Sequence, residues 1–277
     1  EVFGATKLKG QIRISGSKNA SLPILAATLL SDKKISLTNL PRVKDVETMI
    51  KLLESMGSKV KVSKNKNSLV IQNNKKIKTE ASYNLMSTMR AGIIVMGPLL
   101  ARFGKARVSN PGGCNIGFRP IDIHLDGLKK MGVKYKIVDG YINAIVKNGL
   151  KGAKIKFPKI SVGATENLMI AACLAKGQTT LINCAIEPEI KDLSNFLCSI
   201  GAKIVWTGKR QVKIIGVKNF KQSNYKVMFD RIEAGTMLVA AAINQGNLKI
   251  TGIESDILKT EINILKKVGA KIIQKKN

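Results

Sequence analysis

Aromatic residues are scarce in this chain, at 4% of 277 residues with a single Trp, so its core has to be aliphatic and few rings can stack on bases. Histidine occurs once. Cysteine occurs four times, at 114, 173, 184 and 198, too few and too irregularly spaced for a disulfide framework or a zinc site. Such usage fits a reducing, cytoplasmic compartment. The longest apolar run, Ala91–Ala101, holds 11 residues between Arg90 and Arg102, well short of the ~20 that a membrane helix requires. Nor does the opening Glu1-Val2 carry the basic and apolar stretches of a secretion signal.

Acidic residues are also few: 18 Asp and Glu against 47 Lys and Arg, a formal charge of +29. That excess raises the question of nucleic acid. Against it, the cations are scattered, with no run of five, and many sit in Lys/Asn text such as Ser63-Lys-Asn-Lys-Asn-Ser68. A solvated surface with a smaller phosphate-holding subset is the favoured reading, and a basic nucleic-acid-binding module the alternative. Cys173, Cys184 and Cys198 lie in apolar text and are expected in the core.

One unit is written four times. The segments Asp45–Gly57, Pro120–Gly132, Ile190–Gly201 and Ile257–Gly269 all read as an amphipathic helix closed by glycine, about 70 residues apart. In the first, Val46, Met49, Ile50 and Leu53 share a face, Asp45 is placed to cap the start and Gly57 the end. A strand is expected after each, at Lys59–Val62, Val133–Ile137, Lys203–Trp206 and Lys271–Ile273. Ahead of each lies a more uniformly apolar helix (Leu22–Leu30, Ala91–Ala101, Leu168–Ala175, Met237–Ile243) followed by a strand. The unit is therefore helix, strand, helix, strand, with an extra strand between copies and the first helix buried.

The loop Asn110-Pro-Gly-Gly-Cys-Asn-Ile-Gly-Phe-Arg-Pro120 sets a thiol among glycines, beside a guanidinium and just ahead of a helix. Both neighbours favour the thiolate, so Cys114 is the candidate reactive cysteine. Ser161-Val-Gly-Ala-Thr165 precedes an apolar helix and offers backbone N–H groups to phosphate oxygens. His124 falls within a helix and is read as a packing or hydrogen-bonding residue rather than a proton carrier.

Those motifs, with Ile14-Ser-Gly-Ser-Lys-Asn-Ala20, Thr88-Met-Arg-Ala91, Gly97-Pro-Leu-Leu-Ala-Arg-Phe-Gly104, Glu187-Pro-Glu-Ile190 and Asp230-Arg-Ile-Glu233, resemble the enolpyruvyl transferases from about Thr6 onward. The GGC loop resembles the aminosugar branch rather than the shikimate phosphate branch. The resemblance implies an α/β fold of two inside-out α/β barrels, each of three helix-strand repeats. It also implies phosphoenolpyruvate and UDP-N-acetylglucosamine as substrates, no metal or organic cofactor, and no nucleic acid or membrane partner. By the same resemblance Cys114, Lys18, Arg90 and Arg119 are catalytic, with Cys114 the thiol alkylated by fosfomycin. Lys18, Asn19, Arg90, Arg119, Pro120, Ile121, Asp122, Ile123, Lys159, Ser161, Val162 and Gly163 hold substrate, the segment from 119 to 123 taking the uridine and 159 to 163 the diphosphate. Glu187, Arg231 and Glu233 are expected at the hinge between domains.

Four units instead of six imply a first domain at 18–229 and an incomplete second domain, 1–17 plus 230–277, of about one repeat. An exposed apolar face is then expected on the helix from Glu233 to Ile243, and with it self-association or a complementing C-terminal fragment. Reduced activity of these residues alone, or a non-catalytic sugar-nucleotide-binding role, follows as a further expectation.

Overall fold

The computed structural model describes residues 7–109 and 121–275, which fall into two compact units, Lys18–Val227 and Glu1–Ser17 with Met228–Asn277. Strand β1 (Lys9–Arg13) belongs to the smaller unit.

Three repeats build the larger unit. The first runs α1 (Lys18–Ala27), a 3-10 turn (Thr28–Leu30), β2 (Ile35–Thr38), α2 (Lys44–Ser55), β3 (Ser58–Val62) and β4 (Ser68–Asn73). The second comprises β5 (Glu80–Ala81), the short α3 (Tyr83–Met86), a 3-10 helix (Arg90–Val95), α4 (Met96–Phe103), β6 (Lys105–Ser109), α5 (Asp122–Lys130), β7 (Lys134–Val138) and β8 (Tyr141–Ile145). In the third come β9 (Lys154–Lys156), α6 (Val162–Ala172), β10 (Gln178–Ile182), α7 (Pro188–Ser199), β11 (Lys203–Gly208) and β12 (Gln211–Ile215). The closing strand is β13 (Ser223–Lys226).

Each repeat gives one four-stranded sheet of the same order: β13-β2-β4-β3, β5-β6-β8-β7 and β9-β10-β12-β11. The last two strands form an antiparallel hairpin, and the edge strand at the other side runs parallel to its neighbour. For the first sheet that edge strand arrives from the far end of the sequence, with Ser223 opposite Ile35 and Lys226 opposite Thr38. The ring of repeats is thereby closed.

Hydrophobic pattern decides the layers. The first helix of each repeat is apolar nearly all round and is buried, over Ala20–Ala27 in α1, Met96–Leu100 in α4 and Ala164–Ala172 in α6. The second helix is amphipathic: in α2, Val46, Met49, Leu52 and Leu53 are buried while Glu47, Lys51 and Glu54 face water. Helices therefore lie inside the sheets, the reverse of a conventional α/β barrel. After α2, α5, α7 and the helix Lys259–Lys267 the expected glycines all take left-handed backbone, with φ of +105° at Gly57, +97° at Gly132, +108° at Gly201 and +94° at Gly269. A side chain there would be strained, which is why the repeat is punctuated by glycine.

In the smaller unit β1 pairs in parallel with β14 (Asn247–Thr251), and α8 (Arg231–Ile243) and α9 (Lys259–Lys267) pack around Ile14, Ala234, Leu258 and Ile262. Asp230 caps α8 by accepting from the N–H groups of Ile232 and Glu233. Along α8, Ile232, Val239 and Ile243 are exposed at 50%, 42% and 81%, the apolar stripe that the sequence predicts.

Three expectations need correction. Lys271–Ile273 forms no strand: in the other copies this segment pairs with the strand after it, and no later strand exists among the described residues. Cys198 is exposed because it shares the outer face of α7 with Lys191 and Asn195, at helical spacing. Asp45 does not cap α2. Val43 occupies the cap position without a side-chain bond, and Asp45 sits in the first turn, where its charge suits the helix dipole and reaches Lys18 instead.

Candidate functional site

Lys18 and Asn19 open α1 and Val162 and Gly163 open α6, each in the first turn of an inner helix, whereas Arg90 opens the 3-10 helix that leads into α4. Cys114, Arg119 and Pro120 lie outside the described residues, as does the side chain of Arg90.

The first turn of α6 is firmly held by its own side chains. Ser161 is its cap, in extended backbone, with Oγ accepting from Ala164 N–H at 3.3 Å and the carbonyl from Thr165 N–H at 3.0 Å. Thr165 Oγ1 donates to the same carbonyl at 2.7 Å and accepts from Ala185 N–H at 3.0 Å, fixing the turn to the loop after β10. The N–H groups of Val162 and Gly163 come too early in the helix to find an acceptor within it. Lys159 and Val162 are exposed and Ser161 and Gly163 half-buried, which suits a loop approached from solvent.

Beside this turn lies the start of α5. Ile121 is half-buried, Asp122 exposed and Ile123 buried. Packing of α5 on α6 brings them to the 161–163 turn: a methyl group on Gly127 would stand 2.2 Å from Leu168, and one on Gly163 would stand 3.3 Å from both Cε1 and Nε2 of His124. An open groove of about 840 Å³ runs along α5, lined by Ile123, Phe157 and Pro158 and by the cations Lys129, Lys130 and Lys156. Its floor is apolar, and its rim carries Asp126 and Asn183 beside the three lysines.

Lys18 Nζ meets Asp45 Oδ2 at 3.0 Å, with the two side chains 43% and 38% exposed. A pair this exposed is worth little to stability by itself. The structure brings the start of α5 to the first turn of α6 through His124 and Gly163, and Ile123 lines the same groove as Phe157 and Pro158. Lys18 and Arg90 join them only through the contacts of α1 and the 3-10 helix with α6.

Glu166 and Asn167 are polar residues that the sequence reading passed over. Both are buried, in a helix otherwise filled with Ala, Leu, Met and Ile. A polar pair interrupting so apolar a run was the available signal. Burial, with the charges of Glu189 and Glu187 adding to it, holds the Glu166 carboxyl well above the usual carboxylate range. Asn167 bonds to the 3-10 helix, α4 and α5. Burial likewise raises the thiols of Cys173 and Cys184, leaving both as packing residues. Glu233 accepts from Ser15 N–H at 3.0 Å within the smaller unit, and Glu187 from Ile186 N–H at 2.9 Å within the larger.

This layout of buried helices ringed by three sheets is shared with enolpyruvyl transferases of known structure. Superposition on the enolpyruvyl transferase NikO from Streptomyces tendae gives a TM-score of 0.86 at 20% identity, over 97% of this chain and 64% of that one. EPSP synthase from Acinetobacter baumannii follows at 0.75 and 19%, over 96% and 60%. The sequence profile of EPSP synthase (3-phosphoshikimate 1-carboxyvinyltransferase) matches residues 2–277, and the chain belongs to that family of enolpyruvyl transferases. Among curated relatives, UDP-N-acetylglucosamine 1-carboxyvinyltransferase of Pelagibacter ubique (strain HTCC1062) is 70% identical over 277 residues, covering 100% of this chain and 66% of its own length. The protein of the same name from Coxiella burnetii (strain RSA 493 / Nine Mile phase I) is 47% identical over 271 residues, 98% of this chain and 62% of the relative. The chain thus spans a little under two thirds of the length of these relatives. No helix among the described residues is long and apolar enough to cross a membrane.

Proposed function

We propose that these residues carry the nucleotide-sugar half of an enzyme that transfers the enolpyruvyl group of phosphoenolpyruvate to the 3-hydroxyl of UDP-N-acetylglucosamine, at the start of peptidoglycan synthesis in the cytoplasm. The observation that carries the reading is the junction of α5 and α6. There a capped helix start, whose first N–H groups the helix itself cannot use, packs against His124, the residue that follows Ile121, Asp122 and Ile123, in a chain 70% identical to a relative of that name.

The diphosphate would meet the N–H groups of Val162 and Gly163, Ser161 and the Lys159 ammonium, while Ile121, Asp122, Ile123, Arg119 and Pro120 take the uridine. Asn19 would bond the sugar. In the reaction, the sugar hydroxyl gives up its proton to a base and its oxygen adds to C2 of phosphoenolpyruvate as Cys114 delivers a proton to the methylene carbon; phosphate then leaves from the tetrahedral adduct while a proton is lost from the new methyl group, which restores the carbon–carbon double bond of the enol ether. Lys18, Arg90 and Arg119 would balance the charge that develops on phosphate and carboxylate. No residue here takes the part of the base toward the sugar hydroxyl. These 277 residues alone are therefore expected to bind the nucleotide sugar and to turn it over slowly unless a second polypeptide completes the cleft.

A phosphate-release assay with both substrates tests this. Fosfomycin and Cys114→Ala should each abolish whatever release occurs, while UDP-N-acetylglucosamine should still bind the variant. Binding without phosphate release under any condition would favour a non-catalytic sugar-nucleotide-binding role. Absence of binding would remove the proposal altogether.

A further inference from the structure

The residue that follows the strand after the first helix of each repeat recurs along the sequence as Asn39, Asn110, Asn183 and Gly252. Asn110 lies outside the described residues; the other three take left-handed backbone, with φ of +60° at Asn39, +61° at Asn183 and +83° at Gly252. Asparagine is one of the few residues with a side chain that enters this region readily. In two repeats its amide also makes a bond that glycine could not. Val227 N–H donates to the Thr38 carbonyl at 3.0 Å, and Asn39 Nδ2 donates to the Val227 carbonyl at 2.8 Å. Phe157 N–H likewise donates to the Ile182 carbonyl at 3.0 Å, and Asn183 Nδ2 to the Phe157 carbonyl at 3.1 Å. The residue just beyond the parallel edge strand is thus held through both of its backbone groups. In the smaller unit Ile14 N–H makes the first of these bonds, to Thr251 at 2.9 Å, but Gly252 has no amide with which to make the second.

Beyond Phe157, the segment Pro158–Ser161 joins β9 to the first turn of α6 and carries Lys159. Its far end is tied to the same loop after β10, because Ala185 N–H donates to Thr165 Oγ1 at 3.0 Å and Thr165 Oγ1 donates to the Ser161 carbonyl at 2.7 Å. That loop is itself fixed to the turn between β11 and β12: Cys184 N–H donates to the Arg210 carbonyl at 3.2 Å, and Arg210 Nη1 donates to the Cys184 carbonyl at 3.1 Å. Residues 183–185 therefore grip the segment at both ends, with the exposed Lys159 between the two anchors.

We propose that Asn183 is a positioning residue: by holding the Phe157 carbonyl it fixes where Pro158–Ser161 leaves the sheet, and so confines the Lys159 ammonium before a diphosphate arrives. This rests on the reading of 159–163 as the diphosphate segment. A lysine on an unanchored loop loses more conformational freedom on binding, and the clamp reduces that loss.

The bond itself is tested in the unsubstituted protein, where no variant has to fold. By NMR the side-chain amide protons of Asn183 should exchange with water well more slowly than those of a free asparagine, and exchange at the free rate would overturn the proposal. Asn183→Gly keeps a residue suited to left-handed backbone and removes only the donor. Calorimetry should then show binding of UDP-N-acetylglucosamine weakened about fivefold to tenfold. Asn183→Asp, of the same shape but accepting where asparagine donates, should give the same loss, and retained affinity in either folded variant would overturn the proposal.

Two comparisons separate positioning from a purely structural part. Asn39→Gly cuts the matching bond in the first repeat and should leave affinity within about twofold; equal weakening by Asn39→Gly and Asn183→Gly would mean that the clamp serves only the fold. In a Lys159→Ala background Asn183→Gly should have no further effect, since the group that it positions is gone. Additive losses would overturn the proposal by showing that Asn183 acts other than through Lys159. If the wild-type amide exchanges slowly yet no nucleotide sugar binds, the clamp stands as a feature of the fold, and the functional reading falls together with the positioning role.

Discussion

Glu166 shows how a single side chain can set the acid–base behaviour of the fold. Unfolded, its carboxyl ionises near ~4.3; folded, burial and the facing Glu189 and Glu187 keep it protonated to higher pH. The sign follows from proton counting. Between those two values the native state binds more protons than the unfolded state, so this residue's contribution to stability is complete below the unfolded value and is lost as pH rises through the folded one. Thermal melts across pH should therefore show Glu166→Gln gaining on the wild type as pH increases, and parallel curves would refute this. Gly97 offers a steric counterpart. Ala at this position would collide with Asn167 Oδ1 and with its carbonyl, 2.5 Å away, and urea unfolding should register a loss of about 1–3 kcal/mol.

At the level of single elements, sequence and structure agree best where a pattern is local. The second helix of every repeat declares itself by apolar spacing and a closing glycine, and its four glycines adopt the backbone that only glycine takes easily. What the sequence hid depends on contacts distant along the chain. Asn167 is an ordinary amide until α4 and α5 are packed on α6, and Lys271–Ile273 reads as a strand although no strand among the described residues pairs with it. The candidate site divides in the same way. Ser161 is legible as a cap from its place before an apolar helix, whereas the approach of His124 to Gly163 requires the fold. The outward stripe of α8 was legible too, and it bears on behaviour in solution. A double substitution of Val239→Lys and Ile243→Lys should reduce self-association in sedimentation velocity, since these side chains are exposed and contribute little to the core. No change in sedimentation would show that the stripe is not what joins copies.

For the molecule as a whole, the sheet order shows that the three repeats of the larger unit are not independent. The first is incomplete until β13 comes back to β2 from 188 positions later in the register. Replacing Tyr225 with proline would remove an N–H from that strand, unseat a ring packed edge-on against Phe196 at 5.4 Å and cut its bond to Asp192. Hydrogen exchange should then rise in β2 as well as around α7, at opposite ends of the unit's sequence. Exchange confined to the neighbourhood of α7 would mean that the ring can open without disturbing its first member.

The late arrival of β13 also has a consequence during synthesis. A ribosome adding ~5–20 residues per second leaves the outer edge of β2 without its partner for roughly ten to forty seconds after that strand emerges. Throughout that interval the nascent chain presents a bare strand edge, the kind of surface on which neighbouring polypeptides aggregate. The yield of folded protein should therefore depend on how well the emerging edge of β2 is shielded until translation has delivered the strand that seals it.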